Sequence, residues 1–230
     1  MLEKQRYCSS ISQEIASNVR PLQVFAQYLE KGYLPIFTEG EMEYLPKLQQ
    51  IINAVVDTDL AYIASYNAGT AVKVKKLLGV IAESAPFKPN ISALSGKLNI
   101  SRDRVLEYIY QLRDARLLNV LSVAGKGVSK LQKPDKIFLE NPNLSYTISN
   151  RPDKGNLRET FLLGQLLNAG FDVFEPDTGD FLVNDIHIEV GDKNKSIKQV
   201  RDMKSYVVAA DDMEIGFGTK VPLWLFGFLY

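Results

Sequence analysis

With 230 residues, 46% of them hydrophobic, the chain has enough apolar material for a substantial core, which excludes a globally disordered protein. Its 27 basic and 27 acidic residues cancel, so its whole surface is not built for polyanions. The lone cysteine, Cys8, excludes an internal disulfide, and no charged-then-apolar leader precedes a small-residue cleavage site, which points to the cytoplasm. The most apolar stretch, Val221 to Tyr230, is too short to span a bilayer and carries Pro222, so it reads as a buried terminus and not as a membrane anchor.

Charge is unevenly spread. From Lys88 to Lys136 ten basic residues stand against four acidic ones, whereas from Ile137 to Asp192 three stand against ten. That reversal suggests separate modules.

The first ninety residues read as helical, with apolar residues recurring at three and four in Leu22, Phe25, Tyr28 and Leu29, and again in Leu48, Ile51, Ile52, Val55 and Val56. Gly32 and Pro35 punctuate them. A third helix is expected from Ala71 to Ala82, with Val74, Leu77, Leu78 and Ile81 inward and Lys73, Lys75 and Lys76 on the solvated side.

Asn90 can cap a short helix through Ile91, Leu94 and Leu98; Asn99 to Ser101 make a tight turn; a second helix then starts near Arg102 and carries Val105, Tyr108, Ile109 and Leu112 inward. This is a helix-turn-helix pattern. Leu117 to Val123 and Lys136 to Leu139, joined through the Gly125-Lys126-Gly127 turn, supply the two strands of a wing. Arg102 and Arg104 at the start of the second helix, with Lys126 and Lys130 in the wing, are the candidate DNA contacts. Such modules also serve purely as packing and linking elements, and that reading is the preferred one.

The last segment alternates helix and strand. A helix from about Asn156 to Ala169 faces inward with Phe161, Leu162, Leu166 and Leu167; Phe171 to Phe174 reads as a strand; Gly179 to Val183 and Ile186 to Val190 form a hairpin around Asn184-Asp185. A helix through Ile197, Val200 and Met203 and a strand at Tyr206 to Ala209 complete the order. Asp180 opens one hairpin strand and Glu189 lies near the end of the next, a pair able to hold a hard divalent cation such as Mg2+. A metal-dependent nuclease also needs a cation by the attacking water, commonly a lysine two residues after the second acid. Here that position is Gly191. Lys193 and Lys195 follow in the loop, Lys193 being retained as a candidate although both are expected to face solvent. Glu159 on the preceding helix is a further candidate acid, with a first-turn dipole role as its plain alternative. His187 is the only histidine, which argues against zinc.

Taken in order, several stretches resemble the C-terminal half of a bacterial and archaeal AAA+ ATPase family that ends in a restriction-endonuclease-like domain of unassigned function. They are Tyr28 to Pro35, the helix-turn-helix with its wing, Lys136 to Leu144, Arg158 to Phe161, Gly179 to Val183, Glu189 to Lys195 and the closing Ile215 to Tyr230. The resemblance implies an α+β protein: a lid-like helical region over 1–85, a winged helix over 86–140 and a PD-(D/E)xK-like α/β domain over 141–230. It implies ATP only through an ATPase domain absent here, since no G-x-x-x-x-G-K-[ST] loop occurs and Gly96-Lys97 and Gly125-Lys126 lack both the upstream glycine and the hydroxyl. A start within a lid-like region reads as a shortened chain or a decayed gene. The function expected is therefore a non-catalytic binding or regulatory portion that contacts DNA or a protein partner. The alternative is a divergent metal-dependent nuclease using Asp180 and Glu189.

Overall fold

The structure is a computed structural model that describes residues 2–125, 132–149, 151–196 and 203–230, with side chains from Ser9 onward except at Glu41. The chain is mixed α+β and groups by contact into two units, Met1–Leu29 with Lys154–Tyr230, and Glu30–Asp153. The segments 1–85 and 141–230 therefore each contribute to both units. Two helices open the chain, α1 (Leu2–Asn18) and α2 (Pro21–Glu30), the latter burying Phe25 and Leu29.

The Glu30–Asp153 unit continues with α3 (Tyr44–Ala54), a π turn at Val55–Asp59, α4 (Leu60–Ile63) and α5 (Ala68–Ala82). Asn67 caps α5 by accepting from the Thr70 N–H at 2.9 Å. Val74, Leu77, Leu78 and Ile81 are buried as expected, each burial contributing about 1.5–3 kcal/mol. The surface pair of Lys75 with Asp57, 2.8 Å long, contributes about 0–1 kcal/mol, so the apolar stripe decides how the helix lies. On α3 the buried row is Leu48 and Ile52, continued by Val56 and Leu60, while Ile51 stays 39% exposed. The buried stripe keeps to every fourth residue, and the π turn carries it on from Ile52 to Val56 and Leu60.

Next come α6 (Ile91–Leu98) and α7 (Arg102–Asp114), capped by the Asn90 and Ser101 side chains, with Asn99 left-handed at φ 50° between them. The strands β1 (Leu118–Leu121) and β2 (Lys136–Leu139) pair antiparallel, and Phe87 adds a bridge to Ile137. Residues 126–131, which hold the candidates Lys126 and Lys130, lie outside the described residues. A short helix, α8 (Pro142–Ile148), follows.

Here two of the singled-out stretches meet. Asn143, fully buried, accepts at Oδ1 from the Tyr33 N–H at 2.9 Å, the Gly32 N–H at 3.3 Å and the Tyr44 hydroxyl. Burial pushes the Tyr44 phenol up, against the lowering effect of nearby backbone N–H groups. Buried Glu140 accepts from the Tyr33 hydroxyl at 3.1 Å and pairs with Arg116 at 3.2 Å. Within Tyr28–Pro35 and Lys136–Leu144 the polar residues thus hold backbone in place.

The other unit adds α9 (Lys154–Asn168) and a four-stranded sheet of β3 (Phe181–Val183), β4 (Ile186–Gly191), β5 (Tyr206–Ala210) and β6 (Lys220–Pro222), in that order. β3 and β4 form the expected hairpin, with Asn184 and Asp185 at φ 46° and 64° in the turn. β4 to β5 and β5 to β6 are parallel. Phe171–Phe174 is not a strand; only Phe174 bridges to Leu182, because β3 is too short to offer a longer edge. Of the helix expected through Ile197, Val200 and Met203, residues 197–202 lie outside the described residues and Met203 lies in a bend. At the C-terminus Leu223 and Trp224 are buried but Phe228 and Tyr230 are 67% and 66% exposed, so the apolar end is only partly interior. Among the described residues no helix is long and apolar enough to cross a membrane.

Candidate active site

The acids stand where the hairpin places them. Asp180 directly precedes β3; its N–H donates to the Ile188 carbonyl at 2.9 Å, and its Oδ2 accepts from the Val190 N–H at 2.7 Å. This fastens the carboxylate beside Glu189, which is 1% exposed in the middle of β4. A buried carboxylate requires compensation, and Glu189 obtains it from Lys195, whose Nζ lies 2.6 Å from Oε1.

The ammonium beside Glu189 thus comes from four residues beyond Gly191. Lys193 is exposed, and its carbonyl accepts from the Lys220 Nζ at 2.6 Å. Of the two lysines expected to face solvent, the structure brings Lys195, and not the candidate Lys193, against Glu189 among the described residues. The chain reverses after Gly191 through a turn in which Asp192 accepts from the Asn194 N–H at 2.7 Å and from the Lys195 N–H at 3.0 Å. That turn returns Lys195 to the strand it has just left.

Burial lowers the Lys195 pKa, but the hydrogen bond and charge of Glu189, with the charges of Asp180 and Glu159, outweigh it and hold the amine above the ordinary lysine value. The charge of Glu159 thus bears on the same ammonium. Since α9 starts at Lys154, Glu159 is not in the first turn, and the dipole explanation for it does not apply. Beside it, Arg158 turns to the end of β5, with Nε 2.7 Å from Asp211 Oδ2 and NH2 3.1 Å from Asp212 Oδ2. The Asp211 N–H donates to the Gly191 carbonyl at 2.8 Å, so this ion pair braces the strand ends next to Lys195. Sequence reading missed Arg158 in this role, because a contact across 53 residues leaves no local pattern.

Among the described residues no group of three or more His, Cys, Asp or Glu is placed to hold a metal. His187 is engaged at Nδ1 with the Thr178 carbonyl at 2.9 Å; a carbonyl only accepts, so Nδ1 carries the proton. The donors at hand are hard carboxylate oxygens, Asp180 and Glu189. Asp180 Oδ2 already accepts from the Val190 N–H, and Glu189 Oε1 is paired with Lys195.

In the Glu30–Asp153 unit, Arg102 is exposed and lines an open cleft at the starts of α6 and α7 with Lys88, Lys133, Asn90, Ser92 and Asp103. Arg104 instead turns along its helix to Glu107 at 3.4 Å. The two arginines are thus not equivalent.

An uncharacterized protein of Methanocaldococcus jannaschii is 26% identical to the chain over 238 residues, which take in 95% of this chain and 49% of that protein. The chain spans about half the length of the curated relative it matches. No family model matches it, and no solved structure matches it.

Proposed function

We propose that the unit built from Met1–Leu29 and Lys154–Tyr230 is a divergent metal-dependent nuclease domain of restriction-endonuclease-like type, with Lys195 in the role otherwise filled two residues after the second acid. The observation that carries this reading is the Lys195 ammonium 2.6 Å from buried Glu189, on the strand next to Asp180. The succession of α9, the β3–β4 hairpin and a parallel β5 supports it. Asp180 and Glu189 would hold a divalent ion such as Mg2+, which when bound supplies a polarised water and neutralises phosphate charge. Lys195 then stabilises the charge that develops as water attacks phosphorus. The charge of Glu159 adds, after those of Glu189 and Asp180, to the field that favours the charged form of that lysine.

A second reading has an observation of its own. A carboxylate 1% exposed and already paired also suits a domain that keeps the acid for packing, as in a non-catalytic regulatory portion of an AAA+ ATPase-like protein. Incubating the whole chain with plasmid DNA in Mg2+ or Mn2+ separates the two. Cleavage that disappears on chelation and in Asp180→Ala and Glu189→Ala supports the nuclease; wild-type protein that leaves the plasmid intact supports the packing role.

For the Glu30–Asp153 unit the proposal is a winged helix-turn-helix that meets DNA through phosphates, supported by α6, α7, the β1–β2 pair and the Arg102 cleft. Arg102→Ala is expected to weaken duplex binding and to reduce the salt slope by about 1. Arg104→Ala should do less, since Glu107 already engages that guanidinium. Fluorescence anisotropy over a salt series measures both; binding that ignores salt, or ignores Arg102→Ala, overturns this surface.

A further inference from the structure

We infer that Gly191 is a positioning residue for Lys195: the missing side chain at 191 lets the lysine stem lie across the end of β4, so positions 191 and 195 are mutually exclusive stations for the ammonium that Lys195 brings to Glu189. The inference rests on the nuclease reading for its functional meaning, but its geometry stands apart from it.

Gly191 is not among the glycines with positive φ, so backbone conformation does not demand glycine there. Space does. A Cβ built on Gly191 would lie 2.6 Å from Lys195 Cδ, 2.7 Å from its Cγ and 2.7 Å from its Cβ. Ordinary carbon contacts are near 3.5–4.0 Å. Rotation about χ1 and χ2 can move Cγ and Cδ, but it gives no relief to the Lys195 Cβ, 2.7 Å away.

Neither backbone yields easily. Gly191 is held by the Asp211 N–H on its carbonyl at 2.8 Å. The Lys195 side is held by the Asp192 turn, at 2.7 and 3.0 Å, and by Lys220 on the Lys193 carbonyl at 2.6 Å. By contrast, Gly79 and Gly96 would meet nothing within 4 Å, so crowding is not general to the glycines of this chain.

The test is an exchange of stations, made in the whole chain with 13C-labelled lysine. Wild type, Gly191→Ala, Lys195→Gly and the double variant Gly191→Lys with Lys195→Gly are titrated by NMR. In wild type the Lys195 resonance, assigned by its loss in Lys195→Gly, should titrate above the exposed lysines. In Gly191→Ala it should rejoin them. In the double variant the introduced lysine should take up the raised value, and metal-dependent cleavage, down about 100-fold in Lys195→Gly, should return.

Should Gly191→Ala unfold the domain, the variant Gly191→Ala with Lys195→Gly keeps the question open to measurement, because removing the stem removes the clash and should restore thermal stability. A chain that cleaves nothing yet shows the exchange in its titrations retires the nuclease reading and leaves this inference standing. Lys195 titrating as in wild type in Gly191→Ala, or no recovery of stability on trimming the stem, overturns it.

Discussion

Asn143→Leu is expected to destabilise the Glu30–Asp153 unit by about 3–5 kcal/mol, a loss few single substitutions reach. The leucine fills the space but accepts nothing, so the Tyr33 N–H, the Gly32 N–H and the Tyr44 hydroxyl lose their shared partner together. Each buried donor left unsatisfied costs about 1–3 kcal/mol, the 3.3 Å contact of Gly32 being the weakest of the three. Tyr44→Phe is the fitting comparison. It deletes one donor and leaves the Tyr33 and Gly32 N–H groups satisfied, but takes its acceptor from the Leu34 N–H, 3.2 Å from the hydroxyl, and should cost about 1–3 kcal/mol. Urea unfolding of both variants, with hydrogen exchange at the Tyr33 amide as a local readout, measures the difference; equal losses would mean that Asn143 holds nothing beyond its bond to Tyr44.

Much of this fold is written in local chemistry. Asn90 caps the helix that follows it, as its place before an apolar repeat predicts, and Asn67 and Ser101 cap α5 and α7 in the same way, because capping and burial act within a few residues. The β3–β4 hairpin was legible for the same reason, since Asn184-Asp185 tolerates the positive φ values such a turn requires. Phe171–Phe174 shows the limit. Its composition favours a strand, but a strand also needs an edge to pair with, and three residues of β3 provide one bridge only.

The candidate site was half legible. Asp180 and Glu189 follow from the alternation of a two-stranded hairpin, which fixes neighbours by register. Lys195 follows no period at all. It reaches Glu189 through a turn whose signals, Gly191, Asp192 and Asn194, are visible in the sequence but carry no direction. Arg158 is hidden more deeply, because its partners Asp211 and Asp212 lie at the end of another strand and only the packing of α9 brings them near.

Lys195→Met separates what this lysine does for the fold from the role in phosphate chemistry proposed for it. Removing one partner of a fully buried pair costs about 3–5 kcal/mol, and the 35% exposure of the Lys195 side chain reduces that to about 1–3 kcal/mol. The loss is pH-dependent, with a sign fixed by the raised folded-state pKa. The contribution of Lys195 is complete below the ordinary lysine value of 10.5 and disappears as pH climbs through the folded value, so wild type and Lys195→Met should converge in stability above that range. Adding Glu189→Gln to Lys195→Met removes the charge left behind and should recover most of the stability. Cleavage should not recover, staying about 100-fold or more below wild type in the single and double variants alike, because a neutral amide and a thioether neither hold a divalent ion nor stabilise charge at phosphate. Thermal melts across pH and metal-dependent cleavage rates read the two effects independently. A double variant as unstable as Lys195→Met would show that Glu189 does not depend on Lys195 for its burial, whereas a double variant that regains cleavage would remove both residues from the chemistry.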